Sequence, residues 1–392
     1  MNNAVNAERS PYLLPVLLIC ASLTVMAGAT IAPGLPGLLE HFSDHPEAEY
    51  YTRFILSIPG LAIALSAPVA GILADKIGRR VLLYVGVALY ISSGSAGLWL
   101  DDLTMLLISR FILGLSVGMV MVCSMTLITD HFQGPERDRA MGIQSSAMAA
   151  GGIVFIFVGS LLADVSWRAP FAVYLFPVFL FPLIYYFVSK PPPSKPEPGA
   201  IDGRFPVAHA SLIFGIGFTT MWVFYLIPTQ LPFLAKELGA QSLKVAGFAV
   251  VLSQIFSAMA AASYQRVRKM LDNVQILLLS FTLMATGFAA LSQISSVTGM
   301  FLCMPLVGIG LGLNFPNMSI WMMSRMPATM RGRASGGLTT AIFLGQFMSP
   351  FLSVPLVQRV GYSDSFLGAV VIMAGFIILP AAVVLLKRRL AS

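Results

Sequence analysis

The 392-residue chain is 57% hydrophobic and only 10% charged. A soluble domain carries about 25% charge, so this is an integral membrane protein. Its net charge of +7 sits in short stretches between long apolar runs, a distribution that excludes a nucleic-acid partner and points to the lipid bilayer instead.

A hydrocarbon core of ~30 Å needs ~20 apolar residues per helix, and no run shows the alternation of a barrel strand. Twelve helical spans are predicted, at about 12–34, 52–74, 81–100, 103–129, 140–163, 169–189, 207–234, 243–264, 274–294, 298–323, 334–357 and 366–386. The first run has only Arg9 ahead of it and exceeds the apolar core of a secretory signal, so it reads as an uncleaved helix. With both termini cytoplasmic, Arg53, Arg168, Lys236, Lys244 and Arg359 fall outside and Arg110 falls within a span. The other eighteen Lys and Arg fall inside, which fixes the orientation. Cys20, Cys123 and Cys303 lie within apolar runs and form neither a disulfide framework nor a metal site; no cofactor is expected.

The acidic stretch Glu40–Glu49 reads as a solvated outer connection. After the second run comes Gly71-Ile-Leu-Ala-Asp-Lys-Ile-Gly-Arg-Arg80, a tight loop at the cytoplasmic face. Gly78 permits a sharp reversal, and Gly71 is expected to allow close helix contact. Asp75 sits at a helix C-terminus, where a carboxylate is disfavoured, and makes better sense aimed at the N-terminus of another helix. This stretch resembles the signature loop between helices 2 and 3 of the major facilitator superfamily. The resemblance implies an all-α membrane fold of twelve helices in two pseudo-symmetric six-helix bundles. It also implies gating contacts between Asp75 and the region of Ser335 and Gly336, and between Arg79 and Asp130, with Arg80 in the same loop.

Further along, Arg110, Gly114 and Gly118 share one face of the fourth span. The glycines admit a neighbouring helix, and a charged residue at this depth must face a cavity or a partner. The pattern is similar to a second superfamily motif, whose arginine is tied to proton coupling in drug exporters. The alternatives for Arg110 are snorkelling to the outer surface or pairing with a loop acid. The helix-5 motif of the drug–proton antiporter branch is degenerate here. Ala150-Gly-Gly-Ile-Val-Phe-Ile-Phe-Val-Gly159 keeps its last glycine and lacks Gly-Pro.

The proline run Pro191–Pro198 is an extended spacer. It sets a linker at 190–206 between bundles at 1–189 and 207–392. The two halves repeat. Arg137-Asp-Arg-Ala-Met-Gly142 returns as Arg331-Gly-Arg-Ala-Ser-Gly336, and Gly114-Leu-Ser-Val-Gly118 as Gly308-Ile-Gly-Leu-Gly312, both at an offset of 194. At that offset the signature loop falls on Gln265–Lys269, which keeps charge without the glycines or the aspartate. Transporters are built from such repeats, with the site at the repeat interface.

No Asp, Glu, Lys or His falls near the middle of a span. The polar residues within spans are Gln144, Gln254, Asn314, Asn317 and Gln346, which either cross-link helices or line a pathway. Phe218, Trp222 and Tyr225 share a face of the seventh span, ahead of Pro228 and Pro232. These eight residues are the candidate cavity lining. The 21 methionines suit either an adaptable pocket or a lipid-facing surface. The expected function is a monomeric secondary transporter of the inner membrane that exports small amphiphilic substrates by rocking of two bundles, with proton coupling implied by the resemblance. The alternatives are a metabolite or organic-anion importer of the same fold and, more remotely, an intramembrane enzyme. The last would need an embedded nucleophile with its base.

Overall fold

The computed structural model describes residues 10–188, 205–327 and 330–390 (backbone only at 29, 138, 352 and 377–390), and among them every regular element is a helix. The chain divides into two compact units, Met1–Ala200 and Ile201–Ser392. The proline-rich linker falls outside the described residues up to residue 204.

In the first unit α1 (Leu13–Ala29), a 3-10 turn at Ala32–Gly34 and α2 (Leu35–His41) form one span. They are followed by α3 (Ala48–Ile77), α4 (Arg79–Gly94) with a 3-10 extension at Ser95–Leu98, α5 (Leu103–His131) and α6 (Gly134–Ala163). The sixth span opens as a 3-10 helix, Ala169–Phe179, and continues as α7 (Leu180–Phe187). The second unit holds α8 (Val207–Phe224), α9 (Leu226–Glu237), α10 (Lys244–Arg268), α11 (Asn273–Leu291), α12 (Val297–Ser324) and α13 (Arg331–Leu390).

Ten helices among the described residues are long and apolar enough to cross a membrane. Arg331–Phe351 and Ser353–Phe376 qualify together, as a pair bent by 63°. Within α13 the helical backbone is interrupted at Gly361, with φ 82° and ψ 175°. That glycine lies between the spans predicted at 334–357 and 366–386, so the twelve-helix, all-α architecture holds.

The glycines of the repeat do the same work in both units. A Cβ on Gly114 would stand 2.5 Å from the Pro59 carbonyl oxygen and 2.6 Å from the Ala62 Cβ, and one on Gly118 would strike Ser66. These contacts hold α5 against α3. In the second unit a Cβ on Gly308 would lie 3.0 Å from the Ser253 carbonyl carbon and one on Gly312 2.7 Å from that of Ser257, joining α12 to α10. Pro59 and Ser253 themselves stand 194 residues apart. A third pair extends the repeat: Gly151 on α6 admits Ser22 of α1, and Gly345 on α13 admits the backbone of Phe218 on α8. Backbone-to-backbone approach of this kind lets helices gain contact where no hydrophobic effect distinguishes protein from lipid.

Two expectations need correction. Gly71 faces open space, with no atom of another element within 4 Å of where a Cβ would stand, so it makes no close helix contact. Arg53 is not a loop charge. The second span begins at Ala48, which places Arg53 inside α3, fully buried and 3.2 Å from the Glu49 carboxylate one turn earlier. The acidic loop therefore supplies a counterion as well as a connection. The methionines also find a packing role: Met318, Met322, Met326 and Met330 are buried together in the core of the second unit.

Candidate functional site

The turn after α3 is one residue long. Gly78 ends α3 and begins α4 with φ 94° and ψ 136°, a conformation that only glycine adopts without strain. So abrupt a reversal brings Arg79 to the first position of α4 and aims it at the last turn of α5. There it forms an ion pair with Asp130, whose side chain is only 10% exposed. Asp75 lies on the outer side of Arg79, 3.4 Å away and 73% exposed. Arg79 thus holds one sheltered and one exposed carboxylate at once. Arg80 leaves this group and turns toward α7, where its Nη2 donates to the Tyr185 carbonyl at 2.7 Å. Ser335 is half-buried and Gly336 exposed in the first turns of α13.

Arg110 is fully buried in the first unit. It neither snorkels nor meets an acid. Its Nη2 donates to the carbonyls of Ser93, at 2.8 Å, and of Gly94, at the end of α4. The guanidinium plane lies over the rings of Phe171 and Tyr174, 4.9 and 5.0 Å from their centroids. Its Nε and Nη1 have no hydrogen-bond partner. The 3-10 geometry of Ala169–Phe179 explains the double ring contact. With three residues per turn, side chains at i and i+3 eclipse, and Phe171, Tyr174, Pro177 and Leu180 form one buried row. Gly94 makes room for this row, since a Cβ there would lie 2.7 Å from Tyr174. Carbonyl dipoles and π faces offset part of the cost of burying the cation. Phe171, Tyr174 and Gly94 were not singled out from the sequence. The signal was the spacing of three, which a search for helical periodicity of 3.6 passes over.

In the second unit the amides diverge. Asn314 donates to Thr220 Oγ1 of α8 at 2.7 Å and leaves its Oδ1 unpaired. Asn317 accepts from Tyr264 of α10 at 3.3 Å and donates to the Asn273 carbonyl of α11 at 2.9 Å. Both polar atoms of Asn317 are therefore occupied in cross-linking its own unit. Phe218 and Trp222 are half-buried with ring centroids 5.7 Å apart, and Trp222 Nε1 is unpaired. Tyr225 is buried at the break between α8 and α9. Gln144 and Gln346 are buried and Gln254 half-buried.

At the end of α4 remote from Gly78, Arg168 forms an ion pair with Asp101 and donates to the carbonyls of Gly97 and Leu100. Two adjacent connections are thereby tied together.

A helical membrane protein of two repeated units, with a charged one-residue turn between its second and third spans, belongs to the class of polytopic small-molecule transporters. The chain is a member of the Major Facilitator Superfamily, whose profile matches residues 17–350. It is 24% identical over 354 residues to "Tetracycline resistance protein, class D" of Salmonella ordonez, covering 86% of this chain and 87% of that one. It is 31% identical over 210 residues to "Multidrug efflux pump LfrA" of Mycolicibacterium smegmatis, covering 53% of this chain and 38% of that one. Over 114 residues it is 33% identical to "Quinolone resistance protein NorA" of Staphylococcus aureus, covering 28% and 29% of the two chains. The fold is similar to that of a bacterial homologue of the human lysosomal transporter Spinster, with a TM-score of 0.77 at 15% identity and 96% of each chain covered. It is also similar to the D-xylose–proton symporter, with a TM-score of 0.75 at 16% identity and coverage of 93% and 97%.

Proposed function

We propose that the protein is a proton-coupled exporter of small amphiphilic compounds in a bacterial-type inner membrane. Both termini lie on the cytoplasmic side, and a single chain works by alternating access of its two units. The observation that carries the efflux reading is the similarity, along most of the chain, to a protein named for tetracycline resistance. In this reading Asp75, Arg79 and Asp130, with Gly78 setting their spacing, stabilise one conformation and release it in the other. Ser335 and Gly336 lie at the receiving end of the second unit. Phe218, Trp222, Tyr225 and the amides Gln144, Gln254, Asn314 and Gln346 supply the polar and aromatic character of the substrate path.

A second reading, import of a metabolite or organic anion, has its own support. The two fully buried charged side chains among the described residues, Arg53 and Arg110, are both cationic. Either way, a cation entering a path without a carboxylate loses hydration and gains no countercharge. Neutral, zwitterionic or anionic compounds are therefore expected over dications. The test is flux in reconstituted vesicles of matched neutral, anionic and dicationic compounds, with and without a pH gradient. Accumulation that needs the gradient and runs outward supports export, whereas inward or gradient-independent flux supports the second reading. Preferred transport of the dication would overturn the charge argument. Asp75→Asn and Arg79→Ala should each lower flux about 5–150-fold, the range of a 1–3 kcal/mol conformational coupling. Wild-type flux in both would reduce the turn to a topology signal.

A further inference from the structure

Arg80 is the member of the signature turn that does not join the ion-pair group. Its guanidinium lies 6.0 Å from the Tyr84 ring centroid and 5.5 Å from that of Tyr185, and only Nη2 is engaged, by the Tyr185 carbonyl. No carboxylate pairs with it among the described residues. Tyr185 and Tyr186 are 65% and 74% exposed, with rings in edge contact. All of this sits where α4 begins and α7 ends, so the cation stands at the rim of the hydrocarbon layer. Along α4 follow Val81 and Val85, 52% and 42% exposed, an apolar flank that starts beside the cation and runs one turn deeper.

From this arrangement we infer that Arg80, Tyr84, Tyr185 and Tyr186 form a docking site for one anionic phospholipid. An uncompensated cation at this depth favours an anion. The free edge of the guanidinium presents paired N–H donors that match a phosphate. The phenol groups suit the headgroup layer, where tyrosine concentrates. The valine flank suits an acyl chain, a feature that a free anion would not use. The site is independent of what the transporter carries.

The test is native mass spectrometry of the purified full-length protein, delipidated in mild detergent and titrated with phosphatidylglycerol or phosphatidylcholine. Wild type should retain one phosphatidylglycerol in preference to phosphatidylcholine. Arg80→Gln should weaken that retention about tenfold, the scale of a lost charge-assisted hydrogen bond. Lys76→Gln, which removes an exposed charge four residues earlier, should leave it unchanged. Inorganic phosphate should not displace the lipid. Equal losses in Arg80→Gln and Lys76→Gln would mean general surface attraction, and displacement by phosphate would mean a plain anion site; either overturns the inference. Should Arg80→Gln fail to fold, Tyr185→Leu decides, because it keeps both the charge and the backbone carbonyl. It should weaken retention several-fold, and unchanged retention there would equally overturn the site.

Discussion

The two units share a scaffold and differ in charge. At an offset of 194 the glycine contacts that bring α5 to α3 reappear between α12 and α10, and Gly151 against α1 reappears as Gly345 against α8. The polar groups do not follow. Arg110 corresponds to Met304, and Gly94 to Phe288; both counterparts are fully buried. Where the first unit stacks Phe171 and Tyr174 on a guanidinium, the second stacks Phe288 on Phe366 at 5.9 Å. Arg79 and Asp130 correspond to Asn273 and Ser324, and Asp75 to Lys269. Close packing has been kept in both units because the fold needs it twice. Fully buried charge, Arg53 and Arg110, is found in the first unit alone among the described residues.

The largest test exchanges the charge. Met304→Arg puts a cation into an apolar core without carbonyls or a ring cage and should cost about 3–5 kcal/mol, enough to lose folded protein in detergent size-exclusion profiles. Arg110→Met copies the second unit into the first. It should stay folded with an unchanged or raised melting temperature, because the buried, unpartnered Nε and Nη1 are removed. Its transport should nonetheless fall at least about tenfold, as expected for a group kept for conformational coupling and not for stability. Arg110→Lys should fail nearly as badly, since lysine lacks the planar guanidinium that stacks on Phe171 and Tyr174. Full transport by Arg110→Met would end the argument that charge is kept here for function.

Next come the glycines. Gly114→Leu and Gly308→Leu each force a side chain into a helix backbone and should destabilise by about 1–3 kcal/mol or more. The melting temperatures should drop by similar amounts. A markedly milder effect in the second unit would show that the repeat is one of sequence and not of packing.

The smallest test concerns the two reversals. The first unit turns on Gly78 at positive φ. The second uses Asp272, which accepts from the Gln275 backbone N–H at 2.8 Å while the Gln275 side chain accepts from the Asp272 N–H at 2.9 Å. Gly78→Ala should cost ~1–2 kcal/mol through backbone strain, and Asp272→Ala ~1 kcal/mol through the lost cap. Thermal melts of both variants decide whether these two turn chemistries are energetically comparable.

The spans, their number and the glycine repeat were legible in the sequence because lipid imposes one simple rule on every helix: length and apolarity. The turn at Gly78 was legible for a similar reason, since a charged stretch between two spans leaves no room for another shape. Arg53 was not, because a charge at the edge of a span looks the same whether it faces water or is buried against an acid one turn away. Asn314 and Asn317 could not be told apart by spacing. Three residues on a helix of 3.6 per turn place them about 60° apart, and the identity of the neighbouring helices decides which partner each reaches. Arg110 was visible as an anomaly, but its cage is made of two backbone carbonyls and two rings whose alignment depends on a 3-10 segment.

That same segment has a consequence for reach. A 3-10 helix rises ~2.0 Å per residue where an α-helix rises ~1.5 Å. The 11 residues of Ala169–Phe179 therefore extend about 22 Å instead of about 16 Å. The whole span, Ala169–Phe187, has only 19 residues, the shortest length among the crossing helices together with Asn273–Leu291. Wound entirely as an α-helix it would measure about 28 Å, just short of the ~30 Å hydrocarbon layer. Stretched as it is, it measures about 34 Å, so the tighter coil that aligns two rings on Arg110 also gives this span several ångströms more reach than Asn273–Leu291, an α-helix with the same number of residues.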